Sequence, residues 1–390
     1  MDRVKEGSVR KNIPVSDDPQ PKIPPGSCRL THLYNGSESC IHIRDMREKE
    51  DFRIEKLGFP FETENPFLFC AHHKDMYPKG ERDLGPAVSL SGRNLGDDFV
   101  MKNGFRMYHG QRVPGFPKHP HRGFETVTIT LQGYVDHADS LGAAGRYCNG
   151  DAQWMTAGSG CQHAEMFPLV HQDRENPLEL FQIWLNLPAK DKFAQPHYGM
   201  LWAEDIPEVS SADRGGRKSM VRIITGVWEG TRSPAPSPAS WANDPDNHVR
   251  ILLIKMDPGA ELTIPSVTPT LSRNLYFISG DKITIAGREI RAYTRAAPAG
   301  DRDVLIRAGD LPCLLLLLEG EPINEPIAKY GPFVMNTAEE IQDAYRDYRQ
   351  TSFGGWPWDV PDPVHDIGEN RFARYVDGHV EERRSFHGPE

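Results

Sequence analysis

The chain has 390 residues, 38% of them hydrophobic and 26% charged, which is long for one core and fits a packed protein of two domains plus extensions. A net charge of -10 argues against a general nucleic-acid or anionic-membrane surface, and the longest apolar run, Leu314 to Leu318, is far too short to span a bilayer. Six cysteines without a CxxC spacing fit a reduced compartment, cytoplasmic or nuclear, rather than a disulfide framework.

Residues 1–39 are polar and proline-rich (PQPKIPPGS) and read as a flexible arm, with order expected from about Cys40. The stretch 65–115 reads as loop. From 119 to 187 short strands follow one another. ETVTITLQG alternates with period two and ends at Gly133, and QWMTAG, QHAEMF and LFQIWLNL come next, each bounded by turn residues. Residues 229–247 (EGTRSPAPSPASWANDPDN) read as an inserted loop. A second strand set then runs through VRILLIKMD, LYFISG, DKITIAG, VLIRAGD and CLLLLLEG. The two sets echo each other, since Gly133 and Gly280 end similar strands and Asn149-Gly-Asp and Ala308-Gly-Asp make similar turns. The expected architecture is all-β, with two antiparallel barrels in tandem over about 40–210 and 211–335. One helix is expected from Asn336-Thr337 to about Gln350, because Thr337 and Glu340 have capping-box spacing. A charged tail closes the chain; the helix and tail together span 336–390.

Chemistry concentrates in two pairs. His119 and His121 in HPHRGFE share a strand face, as do His163 and Glu165 in QHAEMF, and a barrel interior is where such pairs converge. Three imidazoles and a carboxylate suit iron(II), manganese, nickel, copper or zinc rather than calcium or magnesium. Spacing alone leaves the carboxylate open between Glu125 and Glu165. His72 and His73 point to opposite faces and lie in the loop-like region, so they read as non-ligands. His109, His137, His171 and His197 read as surface or supporting residues. Gln182 and Trp184 alternate on FQIWLNL and can line a pocket. Aligned on Gly280, the second barrel has Ser266 and Thr268 where the first has His119 and His121, so no metal is expected there.

FPKHPHRGFETVTITLQG (116–133), NGDAQWMTAGSGCQHAEM (149–166), FQIWLNL (181–187) and GPFVMNT (331–337) together resemble the pirin family of bicupins. The resemblance covers about 60–358, with gaps, and is weakest at the arm, the 70–110 stretch, the 229–247 loop and the tail. It implies one metal, iron, in the N-terminal barrel, held by His119, His121, His163 and Glu165. Glu125 then becomes a supporting or end-of-pocket residue. The implied chemistry is oxidation of a flavonol such as quercetin by dioxygen with release of carbon monoxide. In it the metal mediates between ring and dioxygen, and Glu165 can act as catalytic base. The family also suggests an alternative, a nuclear iron-dependent co-regulator or redox sensor that binds a protein partner without turnover.

Overall fold

The computed structural model describes residues 52–384. The expected arm and the onset of order near Cys40 lie outside the described residues. Among the described residues no helix is long and apolar enough to cross a membrane.

Two antiparallel sheets enclose the first barrel. The six-stranded one runs Val380–Arg383, Arg371–Arg374, Ala144–Cys148, Tyr134–Asp139, Cys161–Met166, Gly115–His121. The five-stranded one runs His197–Leu201, Ala152–Thr156, Phe124–Gln132, Asn176–Asn186, Phe67–Tyr77. Strand alternation divides each sequence between two environments. On Phe124–Gln132, Val127 and Ile129 join a core with Ile183 and Leu185 of the same sheet and with Ile251, Leu253, Leu316 and Leu318 of the second barrel. Thr126, Thr128 and Thr130 take the opposite face and are buried inside the first barrel.

The second barrel pairs a seven-stranded sheet with a four-stranded one (Glu261–Ile264, Val304–Ala308, Lys282–Ile285, Arg288–Arg291). Its interior is apolar: Leu252, Leu275, Leu315 and Leu317 meet Leu262, Ile283 and Ile306. The strand Cys313–Gly320 (CLLLLLEG) is continuously apolar because both faces are buried. Leu315 and Leu317 point into the barrel, and Leu316 and Leu318 point at its neighbour.

Each barrel takes a strand from the far end of the chain. Arg53–Lys56 pairs with Thr294–Ala297 in the seven-stranded sheet, and Arg371–Arg374 pairs with Ala144–Cys148 in the six-stranded one. The tail therefore wraps rather than staying free, and a buried ion pair seats it. Arg146 holds Asp136 through two bonds of 2.7 Å and donates to the carbonyls of His365 and Asp366, while Asp136 accepts the His365 N–H.

The stretch expected to be loop contains an eleven-residue strand, Phe67–Tyr77. Its signal is masked because polar groups occupy buried positions, while only Lys74 and Met76 are exposed. His72 is bonded to Glu179 and stacked on Phe181, and Asp75 is held by Arg106 and Tyr108. The helix forms as Ala338–Thr351, with both capping-box bonds present. The 229–247 loop is anchored, not loose: Ser240 donates to Glu125, and the Trp241 indole to the Glu321 carbonyl.

Replacing Arg146 with Ala leaves Asp136 buried and unpaired, which costs about 3–5 kcal/mol. Thermal unfolding followed by circular dichroism should show a melting temperature several degrees lower, with the tail cut faster by protease.

Candidate metal centre

The site begins with a strand register. Gly115–His121 pairs antiparallel with Cys161–Met166 so that His119 faces His163 and Phe116 faces Glu165. Phe116 and His119 are three apart while their partners are two apart. One residue is therefore bulged out between them, and both side chains reach the same face. The Lys118 N–H, displaced from the ladder, donates instead to Pro361.

This brings the three histidines together. Their ring centroids lie 4.4 Å (His119–His163), 4.7 Å (His119–His121) and 5.0 Å (His121–His163) apart. One nitrogen from each falls within 4.8 Å of the others. The His119 Nδ1 lies 2.9 Å from the Pro117 carbonyl and the His121 Nδ1 lies 3.4 Å from that of Pro332. A carbonyl only accepts, so both Nδ1 atoms carry the proton and both Nε2 lone pairs are free. His163 is fully buried, and neither ring nitrogen has a hydrogen-bond partner. Such an orphaned pair is costly unless something else binds it. Burial and the neighbouring rings push all three imidazoles toward the neutral form, His119 down to about 4. Neutral imidazole is the form a transition metal needs. The donor set fits a divalent metal ion.

Glu165 stands beside the cluster, with Oε2 3.9 Å from His163 Nε2. Its Oε1 accepts from the Thr128 hydroxyl at 2.8 Å and from the Tyr147 hydroxyl at 3.3 Å. Burial raises its pKa, and the Thr128 bond works against that rise. Gln182 lies 2.9 Å from the same Thr128 hydroxyl, and the Trp184 ring lies 5.4 Å from that of His121. Thr128 and Tyr147 were missed in the sequence. The signal for Thr128 was present, because three threonines at alternate positions in ETVTITLQ mark a polar barrel wall; nothing local marks Tyr147.

Glu125 is placed elsewhere. The chain passes from one sheet to the other at Arg122-Gly123, so His121 and Glu125 are not on one strand. Gly123 permits this with φ +84 and with no Cβ to meet the Val334 carbonyl, which would lie 2.0 Å away. Glu125 faces the second barrel and accepts from Trp154 (3.1 Å), Thr156 (2.7 Å) and Ser240 (2.6 Å). None of its bonds reaches the histidines. His137, expected at the surface or in support, is buried with its ring 5.6 Å from His163. His73 is buried among Tyr108, Phe116 and Phe167, away from the cluster.

His121→Ala should abolish stoichiometric binding of a divalent transition metal while the far-ultraviolet spectrum stays unchanged; metal analysis after dialysis reads this directly. A second outcome concerns Glu125, whose pKa burial raises to about 7 from an ordinary 4.5. Below pH 4.5 the carboxyl is protonated in both folded and unfolded chains. Between 4.5 and 7 the unfolded chain loses the proton while the folded chain keeps it, so folding loses stability as pH rises, and above 7 the loss is constant. Glu125→Gln should therefore gain up to about 3 kcal/mol on the unsubstituted protein between acid and neutral pH, seen by denaturant unfolding across that range.

Comparison with known proteins matches both halves of the chain. The family described as Pirin is matched over residues 65–185, and the Pirin C-terminal cupin domain over residues 251–354. A Pseudomonas aeruginosa protein provisionally named quercetin 2,3-dioxygenase is 37% identical over 256 residues, covering 65% of this chain and 85% of that one. Human pirin is 36% identical over 267 residues, covering 67% and 84%. The crystal structure of a quercetin 2,3-dioxygenase from Acinetobacter baumannii is similar with a TM-score of 0.61 at 26% identity, over 78% of this chain and 97% of that one. With two antiparallel barrels in tandem and a histidine cluster in the first, the chain is a bicupin of the pirin family.

Proposed function

We propose that this protein is an iron-dependent oxidoreductase that cleaves a flavonol-like aromatic with dioxygen, with His119, His121, His163 and Glu165 as the metal-binding set. The observation that carries the reading is His163, buried with both ring nitrogens unpartnered between two other neutral imidazoles. Similarity to a solved quercetin 2,3-dioxygenase along 97% of its length supports the choice of reaction.

Iron held by these four residues would supply a redox-active centre for the reaction of the substrate with dioxygen. The rest falls to side chains. Thr128 and Tyr147 occupy Oε1 of Glu165, which leaves Oε2 free on the His163 side. Glu165 shifts from ligand to base as Oε2 takes the proton of the flavonol 3-hydroxyl, and burial makes the carboxylate basic enough to hold it. His119, Phe116, Gln182 and Trp184 face the barrel interior but remain partly exposed, and they form the mouth through which a planar substrate enters.

Iron-loaded protein given quercetin in air should consume oxygen and release carbon monoxide, and should do neither under argon. Glu165→Gln should lower kcat about 100-fold or more while quercetin still binds. Metal binding without oxygen uptake would refute the enzyme reading and leave the protein-binding sensor.

A further inference from the structure

Beside the cluster, Phe69 and Trp184 form an aromatic wall. Their centroids are 4.8 Å apart with planes tilted by 32°, and both rings are partly exposed. Trp184 is also 5.4 Å from the His121 ring, so the wall starts at the metal centre and runs outward. Over its outer end sits Lys329, which comes from Ala328–Tyr330, a short strand after the second barrel. Its ammonium is 5.0 Å from the Trp184 centroid and 5.7 Å from that of Phe69. It donates to the Leu68 carbonyl at 3.2 Å and forms no ion pair among the described residues. An ammonium offers three protons and no acceptor, so after one backbone bond it can still bind an anion. The distances through Trp184 put it within about 10 Å of the His121 ring.

We infer that Lys329 is a positioning residue that selects planar aromatic substrates carrying an ionised hydroxyl at the end remote from the metal. The assignment rests on the flavonol reading above. A flavonol whose 3-hydroxyl end faces Glu165 and the histidine cluster would lay its fused bicyclic portion along Phe69 and Trp184. The hydroxyl at the 7-position then points away from the metal toward the ammonium. That hydroxyl is acidified by conjugation with the 4-carbonyl and so is the one most readily ionised. The phenolate receives a charge-assisted hydrogen bond, and the cation stays over the rings it already covers. The recognition falls to one side chain that comes from outside the first barrel and lies over both rings of the wall.

The test is equilibrium binding, which needs no turnover. Zinc-loaded protein, which cannot reduce dioxygen, is titrated calorimetrically with a 7-hydroxyflavonol and with its analogue lacking that hydroxyl. Lys329→Met should weaken the first about fivefold to tenfold and leave the second unchanged, and Lys329→Arg should restore the first. With iron, Lys329→Met should raise KM for the 7-hydroxy substrate with kcat held. Equal loss for both ligands, or loss for neither, overturns the assignment while the flavonol reading stands. Failure of the unsubstituted protein to bind either ligand overturns both.

Discussion

Everything chemical in this molecule depends on one pairing, that of Gly115–His121 with Cys161–Met166. Antiparallel register puts His119 opposite His163 and Phe116 opposite Glu165, and the bulge before His119 brings Phe116 and His119 to the same side. A slip by one residue would send the whole set to the other face. The register is held from both sides. Tyr134–Asp139 pairs along the other edge of Cys161–Met166, and Pro361 and Pro332 accept from Lys118 and His121 on the open edge. Much of the segment after the second barrel serves this purpose, since Gln162 donates to the carbonyls of Ser352 and Gly355, and Trp358 to that of Asp139.

The two barrels share a plan and differ in what fills them. The second is packed with leucine, isoleucine and phenylalanine. The first keeps threonines, glutamines, a glutamate and histidines on its inner faces, with several polar atoms unpartnered. Such an interior is expensive to bury. The cost is carried by the apolar layer between the barrels, where the outward faces of both large sheets meet. The second barrel thus supports the first mechanically, and the segment that follows it brings Lys329 and the Pro332 carbonyl against the first.

The sequence was most readable where one face was apolar and the other was not. ETVTITLQ, QWMT and CQHAEM stood out as strands, and the shared face of HPH and HAE foretold the histidine cluster. Phe67–Tyr77 escaped because its buried positions hold two histidines and an aspartate, whose partners Glu179, Arg106 and Tyr108 are distant in sequence. Glu125 looked like a neighbour of His121 because only three residues separate them. Only the passage from sheet to sheet at Gly123 shows that it faces the second barrel. The charged tail carries few apolar residues, and the side chain that seats it, Arg146, lies more than two hundred residues earlier in the sequence.

The exchange of strands between the chain's two ends also governs how the protein comes to be made. Arg53–Lys56 leaves the ribosome early but has no partner until Thr294–Ala297 follows. The sheet that carries the histidines is not finished until Arg371–Arg374 reaches Ala144–Cys148. The first barrel therefore cannot complete itself as its own residues emerge, as independent domains do, whereas the second finds Arg53–Lys56 already made. Ala144–Cys148 spends most of synthesis as an open edge, ready to pair with the wrong chain. Arg371–Arg374 and Val380–Arg383 thus act as a seal on the first barrel, and the sheet that carries the histidine cluster has to wait for them.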